Sequence, residues 1–151
     1  MYVRAVNRGT WTRLVSGGGK AIDDVVSELL RQGPHVSVFE CSQRQAVELV
    51  AVALVATRIN RQHFHFVSIA AEDLAAACAV VVRSEGDTAL PDANRLHRDL
   101  DLSGDRARRL VAHLAVRRVA VETVREEELK RLARALHAAG QPIPEESWLL
   151  R

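Results

Sequence analysis

The chain has 151 residues, a length that fits one domain. Apolar residues make up 48% and charged residues 26%, which supports a packed core and excludes a disordered chain. A formal charge of +2 excludes both a strong nucleic-acid field and a polybasic membrane anchor.

The basic residues are almost all Arg, since only Lys20 and Lys130 are Lys. Ala, Val and Arg have GC-rich codons, so a high-GC bacterial source is expected. Cys41 and Cys78 are too few for a disulfide framework, and neither lies in a zinc spacing. The N-terminus carries Arg4 and Arg8 with no apolar run behind them, so no signal peptide is read. The longest nearly apolar run, Ala46 to Ala56, is too short to span a bilayer. A soluble cytoplasmic protein is expected.

In chain order, Tyr2 to Val6 and Thr10 to Val15 read as two strands around an Asn7-Arg8-Gly9 hairpin turn. Ile22, Val25, Val26, Leu29 and Leu30 then repeat at helical spacing, predicting a helix over 21–32 that Gly33-Pro34 ends. Residues 35–40 (HVSVFE) form a β-type run, and Ser42 can cap a long helix over 43–61. Residues 64–70 (FHFVSIA) give an internal strand with apolar side chains on both faces. These two strands and their helix predict a central, right-handed βαβ unit. A short helix over 72–78 precedes a strand over 79–83, and 84–91 reads as a loop. Residues 91–102 predict a helical turn or two. Ser103 can cap a helix over 104–115, followed by a strand over 116–124 and a helix over 126–139. The glutamates at 126–128 mark a helix start with a solvated face. The fold class expected is α/β: one domain over 1–151, with a mixed sheet packed by helices.

Candidate sites are few. Gly17, Gly18, Gly19 and Lys20 form a turn before a helix, where backbone N–H groups and a cation can meet an anion, although the Walker and GxGxxG spacings are absent. Cys41, with Ser42, sits at a strand-to-helix junction, a position that favours a thiolate. His35 or His65 would be its base, while a phosphatase CxxxxxR loop is missing. Open α/β sheets bind ligands at the carboxyl ends of their strands, which here would bring Cys41, Ser42, Ala71 and Glu72 around a crevice. His63 and His65 share a strand face, and His97 and Asp101 are four residues apart. Neither pair has a clear third ligand, so no metal and no cofactor is expected. Arg106, Arg108, Arg109, Arg117 and Arg118 form the densest basic cluster, but interleaved acids cancel much of it. Nucleic-acid binding is therefore not expected to be the function. A helix apolar on all sides needs covering from several directions. Self-association through Val52 and Val55, giving a dimer, is therefore expected. The leading functional expectation is a small accessory or regulatory subunit that binds another protein and has no catalytic activity. The alternatives are a Cys41-dependent enzyme or small-ligand binder, and nucleic-acid binding through residues 106–118.

Overall fold

The computed structural model describes residues 1–57 and 63–151. Six strands form one sheet: β1 Tyr2–Ala5, β2 His35–Glu40, β3 His63–Ile69, β4 Val80–Arg83, β5 His97–Asp101 and β6 Glu122–Arg125. Their order across the sheet is β4-β5-β2-β1-β3-β6. Helices α1 Arg8–Trp11, α2 Gly18–Leu29, α3 Arg44–Val55, α4 Ala71–Ala76, α5 Pro91–Arg95, α6 Arg106–Val116 and α7 Glu126–Ala138 cover it, and a 3₁₀ turn at Trp148–Leu150 closes the chain.

The α/β class stands, with β2, α3 and β3 in the expected sequence order. The pairing differs from the mixed sheet expected. β1 lies between β2 and β3 and runs antiparallel to both, and every other neighbouring pair is antiparallel too. β2 and β3 therefore run in the same direction without touching. β4 shares this direction, and because it lies four places from β3 the chain through α4 passes across β1, β2 and β5 to join the two strands.

Two helical layers sandwich the sheet. On one face α3, α5, α7 and the tail cover Val3, Phe39, Phe64, Phe66 and Val124. On the other, α1, α2, α4 and α6 cover Val36, Val38, Val67, Ile69 and Leu100. The alternation of these residues along each strand is the period-2 pattern of a sheet buried on both sides.

Several local expectations are corrected. Thr10 to Val15 is not a strand: the Asn7 side chain accepts from Gly9 N (2.9 Å) and Thr10 N (3.4 Å), which starts the α1 turn, and Trp11 and Leu14 drop into the core. α2 begins at Gly18 and ends at Leu29, short of residue 32. α3 begins at Arg44 after Gln43, and Ser42 makes no cap; its expected end over 58–61 lies outside the described residues. α6 runs to Val116, so the strand expected over 116–124 shrinks to Glu122–Arg125. Within 91–102 only Pro91–Arg95 is helical, and His97–Asp101 is a strand. Asp105 rather than Ser103 occupies the cap position of α6.

Val52 and Val55 are fully buried within the chain. The sheet, α7 and α5 pack on α3, and the tail closes its end. Ser147 Oγ donates to Ala56 O at 2.9 Å and Trp148 Nε1 to Val55 O at 3.3 Å, satisfying carbonyls a helix end leaves open. The expected dimer contact through Val52 and Val55 therefore has no exposed surface to use.

Candidate functional site

The structure separates most of the residues singled out in the sequence. Cys41 is buried with no exposed surface, and its backbone N–H donates to Met1 O at 3.0 Å. Burial pushes its thiol up to about 11; the nearby N-terminal ammonium opposes this and Glu40 adds to it. His35 lies at the other end of β2, about 20 Å away at strand rise. Tyr2 pairs with both Glu40 and Ile69, which places Cys41 level with the far end of β3 from His65. No Cys/His pair forms. Ser42, Ala71 and Glu72 at that end are exposed.

The glycine turn answers to packing. A Cβ on Gly17 would meet Ala21 Cβ at 2.5 Å and Arg13 O at 2.8 Å, and Gly18 has φ +60. Gly19 and Lys20 are exposed, and the acids that follow are paired, Asp23 with Arg108 and Asp24 with Arg13 at 3.9 Å.

The arginine cluster is similarly engaged. Arg106 meets Asp101 at 2.7 Å, Arg109 meets Asp105 at 3.9 Å, and Arg117 meets buried Asp73 at 2.7 Å. Arg118 ends α6 in a left-handed conformation, φ +53. These residues do not form a stripe of available cations. Hydrogen bonds from Ser103 to Asp101, chiefly from its backbone, hold that carboxyl below the usual range, and Arg106 adds to this.

His63 and His65 do share a face, with ring centroids 5.9 Å apart. His97 and Asp101 lie on a strand rather than a helix. Among the described residues no group of three or more His, Cys, Asp or Glu is placed to hold a metal ion.

Two features were not legible in the sequence. The first is a seam in the sheet. The β1–β2 ladder stops at Val3↔Phe39, whereas β1 stays paired to β3 as far as Ala5↔Phe66 and β2 to β5 as far as His35↔Asp101. Continued register would pair Ser37 with Ala5. Instead, Arg4 Nη1 donates to Ser37 O at 2.7 Å. A cavity of about 850 Å³ opens along this seam, and four of the chain's six histidines line it: His35, His63, His65 and His97. It sits at the amino ends of β2 and β3, opposite the crevice expected beside Cys41.

The second feature is the sheet edge. β4 has the sequence VVVR, and among the described residues its only strand partner is β5. Val80, Val81 and Val82 are 48%, 37% and 45% exposed. Val80 and Val82 lie beside Asp101 and Asp99 on a part of the face that no helix among the described residues covers.

Among the described residues, no helix is long and apolar enough to cross a membrane. Comparison with protein-family models, curated proteins and solved structures finds no match.

Proposed function

We propose that this chain is a non-catalytic binding module whose β4 edge takes up an extended segment of another protein. The observation that carries the reading is the trivaline edge. A free edge strand presents a row of N–H and C=O groups to any strand that approaches, and proteins usually blunt such edges with charge, proline or a bulge. Residues 80–82 have none of these and place apolar side chains on both faces of the sheet. Main-chain pairing would supply affinity and the valines would supply side-chain contacts, as in other strand-addition complexes. The acidic groups beside the edge set the partner's chemistry: Asp99 is next to Val82 in the sheet, and exposed Glu85 and Asp87 follow β4. The segment is apolar at alternate positions and carries a Lys or Arg over Asp99. The non-catalytic part of the reading rests on the burial of Cys41 and its separation from His35 and His65.

The test is selection from a displayed peptide library against the wild-type chain and a Val80→Lys/Val82→Lys variant. Both substituted residues are exposed, so the variant should keep the fold, checked by circular dichroism. Enriched peptides should be alternating and basic, should bind the variant at least about tenfold more weakly, and should protect β4 amides from exchange. Enrichment that the variant does not diminish would refute the reading. So would a stable species at twice the chain mass that the variant dissolves, because the edge would then belong to a second copy.

A further inference from the structure

We propose that the seam between β1 and β2 is a binding site for a phosphate-bearing small ligand. This site is separate from the β4 edge and does not depend on its role. The volume of about 850 Å³ lies in the range of cofactor and metabolite pockets.

The charges of the lining favour an anion. Arg4 on β1, Arg8 on α1 and Arg31 just after α2 all border the cavity, and the last two are exposed. Two carboxylates oppose them. Glu28 Oε1 already accepts from Asn7 N and Trp11 Nε1, both at 3.0 Å, and so is held against α1. Asp87 is an exposed loop residue at the rim.

The four imidazoles come from three strands. His35 and His63 are exposed. His65 Nδ1 bonds Thr123 Oγ1 at 2.9 Å, which fixes its ring at the cavity wall. His97 is fixed by Ser84 Oγ at 2.8 Å and by an edge-on contact with Phe39, its Nε2 3.9 Å from Asp99. The exposed His35 and His63 rings carry N–H groups that can donate to phosphate oxygens.

Apolar groups also line the cavity, Phe39 and Leu54 on one face of the sheet and Val36 on the other, which suits a phosphate ester better than the free ion. The interrupted ladder supplies the remaining recognition. Alternation along β2, where Cys41 N pairs with Met1 O and Ser37 O takes Arg4, turns the backbone groups of the odd-numbered residues toward the seam.

The test is calorimetric titration of the full chain with inorganic phosphate, pyrophosphate and adenosine 5′-monophosphate in low salt, with the imidazole proton resonances followed in parallel. The monophosphate ester should bind more tightly than inorganic phosphate. It should shift the His35 and His63 resonances. Equal binding of phosphate and ester would assign the site to the free anion and still support it. Arg31→Ala/His35→Ala, at two exposed positions, should weaken binding by about tenfold or more through loss of charge-assisted hydrogen bonds. Arg131→Ala, which removes an exposed charge on α7, should leave binding unchanged. Absence of binding by all three probes at millimolar concentration would overturn the proposal. Equal losses in the two variants would also overturn it, because net charge would then explain the binding.

Discussion

Asp73 is the one fully buried acidic side chain among the described residues, and its removal has a calculable cost. Its Oδ2 accepts from Arg117 Nη1 and from the Ala70 N–H at the start of α4, each at 2.7 Å. Its Oδ1 stands 3.4 Å from His113 Nε2 and has no hydrogen bond. Asp73→Ala loses a helix-start acceptor, about 1 kcal/mol, and a charge-assisted bond, about 1.5–3 kcal/mol. Arg117 is 38% exposed and recovers water, so the sum stays at about 2–4 kcal/mol. Arg117→Ala is different, because it leaves a carboxylate with no exposed surface held only by the Ala70 N–H and faced by His113. That residual buried charge costs about 3 kcal/mol or more. The arginine variant should therefore be at least as damaging as the aspartate variant, and the double variant no worse than Asp73→Ala alone. Urea denaturation of all four proteins at pH 7 measures the cycle. A coupling below about 0.5 kcal/mol, the ordinary error of additivity, would show that Asp73 is hydrated and the reasoning wrong.

Four further outcomes are expected. In native protein at pH 8 a thiol reagent should label exposed Cys78 rapidly, while Cys41, raised to about 11, reacts only on unfolding; two fast equivalents would contradict the buried placement. Cys78→Gly and Arg118→Gly should each raise stability by about 1 kcal/mol, because both side chains sit at left-handed φ (+52 and +53) two residues beyond the end of a helix; unchanged denaturation midpoints would refute that. Asp101→Asn should destabilise at neutral pH, and the gap should close below about pH 4. The folded carboxyl is held below its unfolded value, so its contribution is present above that value and is lost as the pH falls through the folded one; a gap independent of pH would count against the Ser103 contacts. Val52→Asp should unfold the chain, since position 52 is inside the core, and a folded monomer would mean that α3 is less covered than described.

The strands at 35–40 and 63–69 were legible because aromatic and β-branched residues crowd both faces, as a doubly covered sheet requires. β5 was hidden because three of its five residues are charged. They are tolerated because Arg98 meets Glu40 at 2.8 Å, Asp101 meets Arg106, and Asp99 lies on the open part of the face. The place of β1 was equally hidden. YVRA pairs with residues more than thirty and sixty positions away, and nothing local says that it will enter between β2 and β3. α3 shows the limit from the other side. Its all-round apolar character demanded several covering surfaces, but the pattern could not say whether they came from this chain or another. The decisive cover came from α7, α5 and the Trp148 tail, elements remote in sequence.

Both proposed sites arise from how the helices are distributed over the sheet. The layer of α3, α5 and α7 is centred on β1, β3 and β6, and the layer of α2, α4 and α6 reaches across to β2 and β5. Two opposite corners are left less covered. One holds Val80, Val82 and Asp99; the other holds exposed His63 and Arg125 with half-buried His65 and Thr123. Between the corners the sheet is joined at the seam by only two register pairs, Tyr2↔Glu40 and Val3↔Phe39, so strands β1 and β2 can diverge where neither layer clamps them together. A splayed ladder needs polar compensation, and Arg4 on Ser37 supplies part of it. That compensation brings cations and imidazoles from positions 4, 8, 31, 35, 63, 65 and 97 around one space. No single stretch of sequence holds more than a pair of them at strand spacing, which explains why inspection of local motifs passed over the cavity.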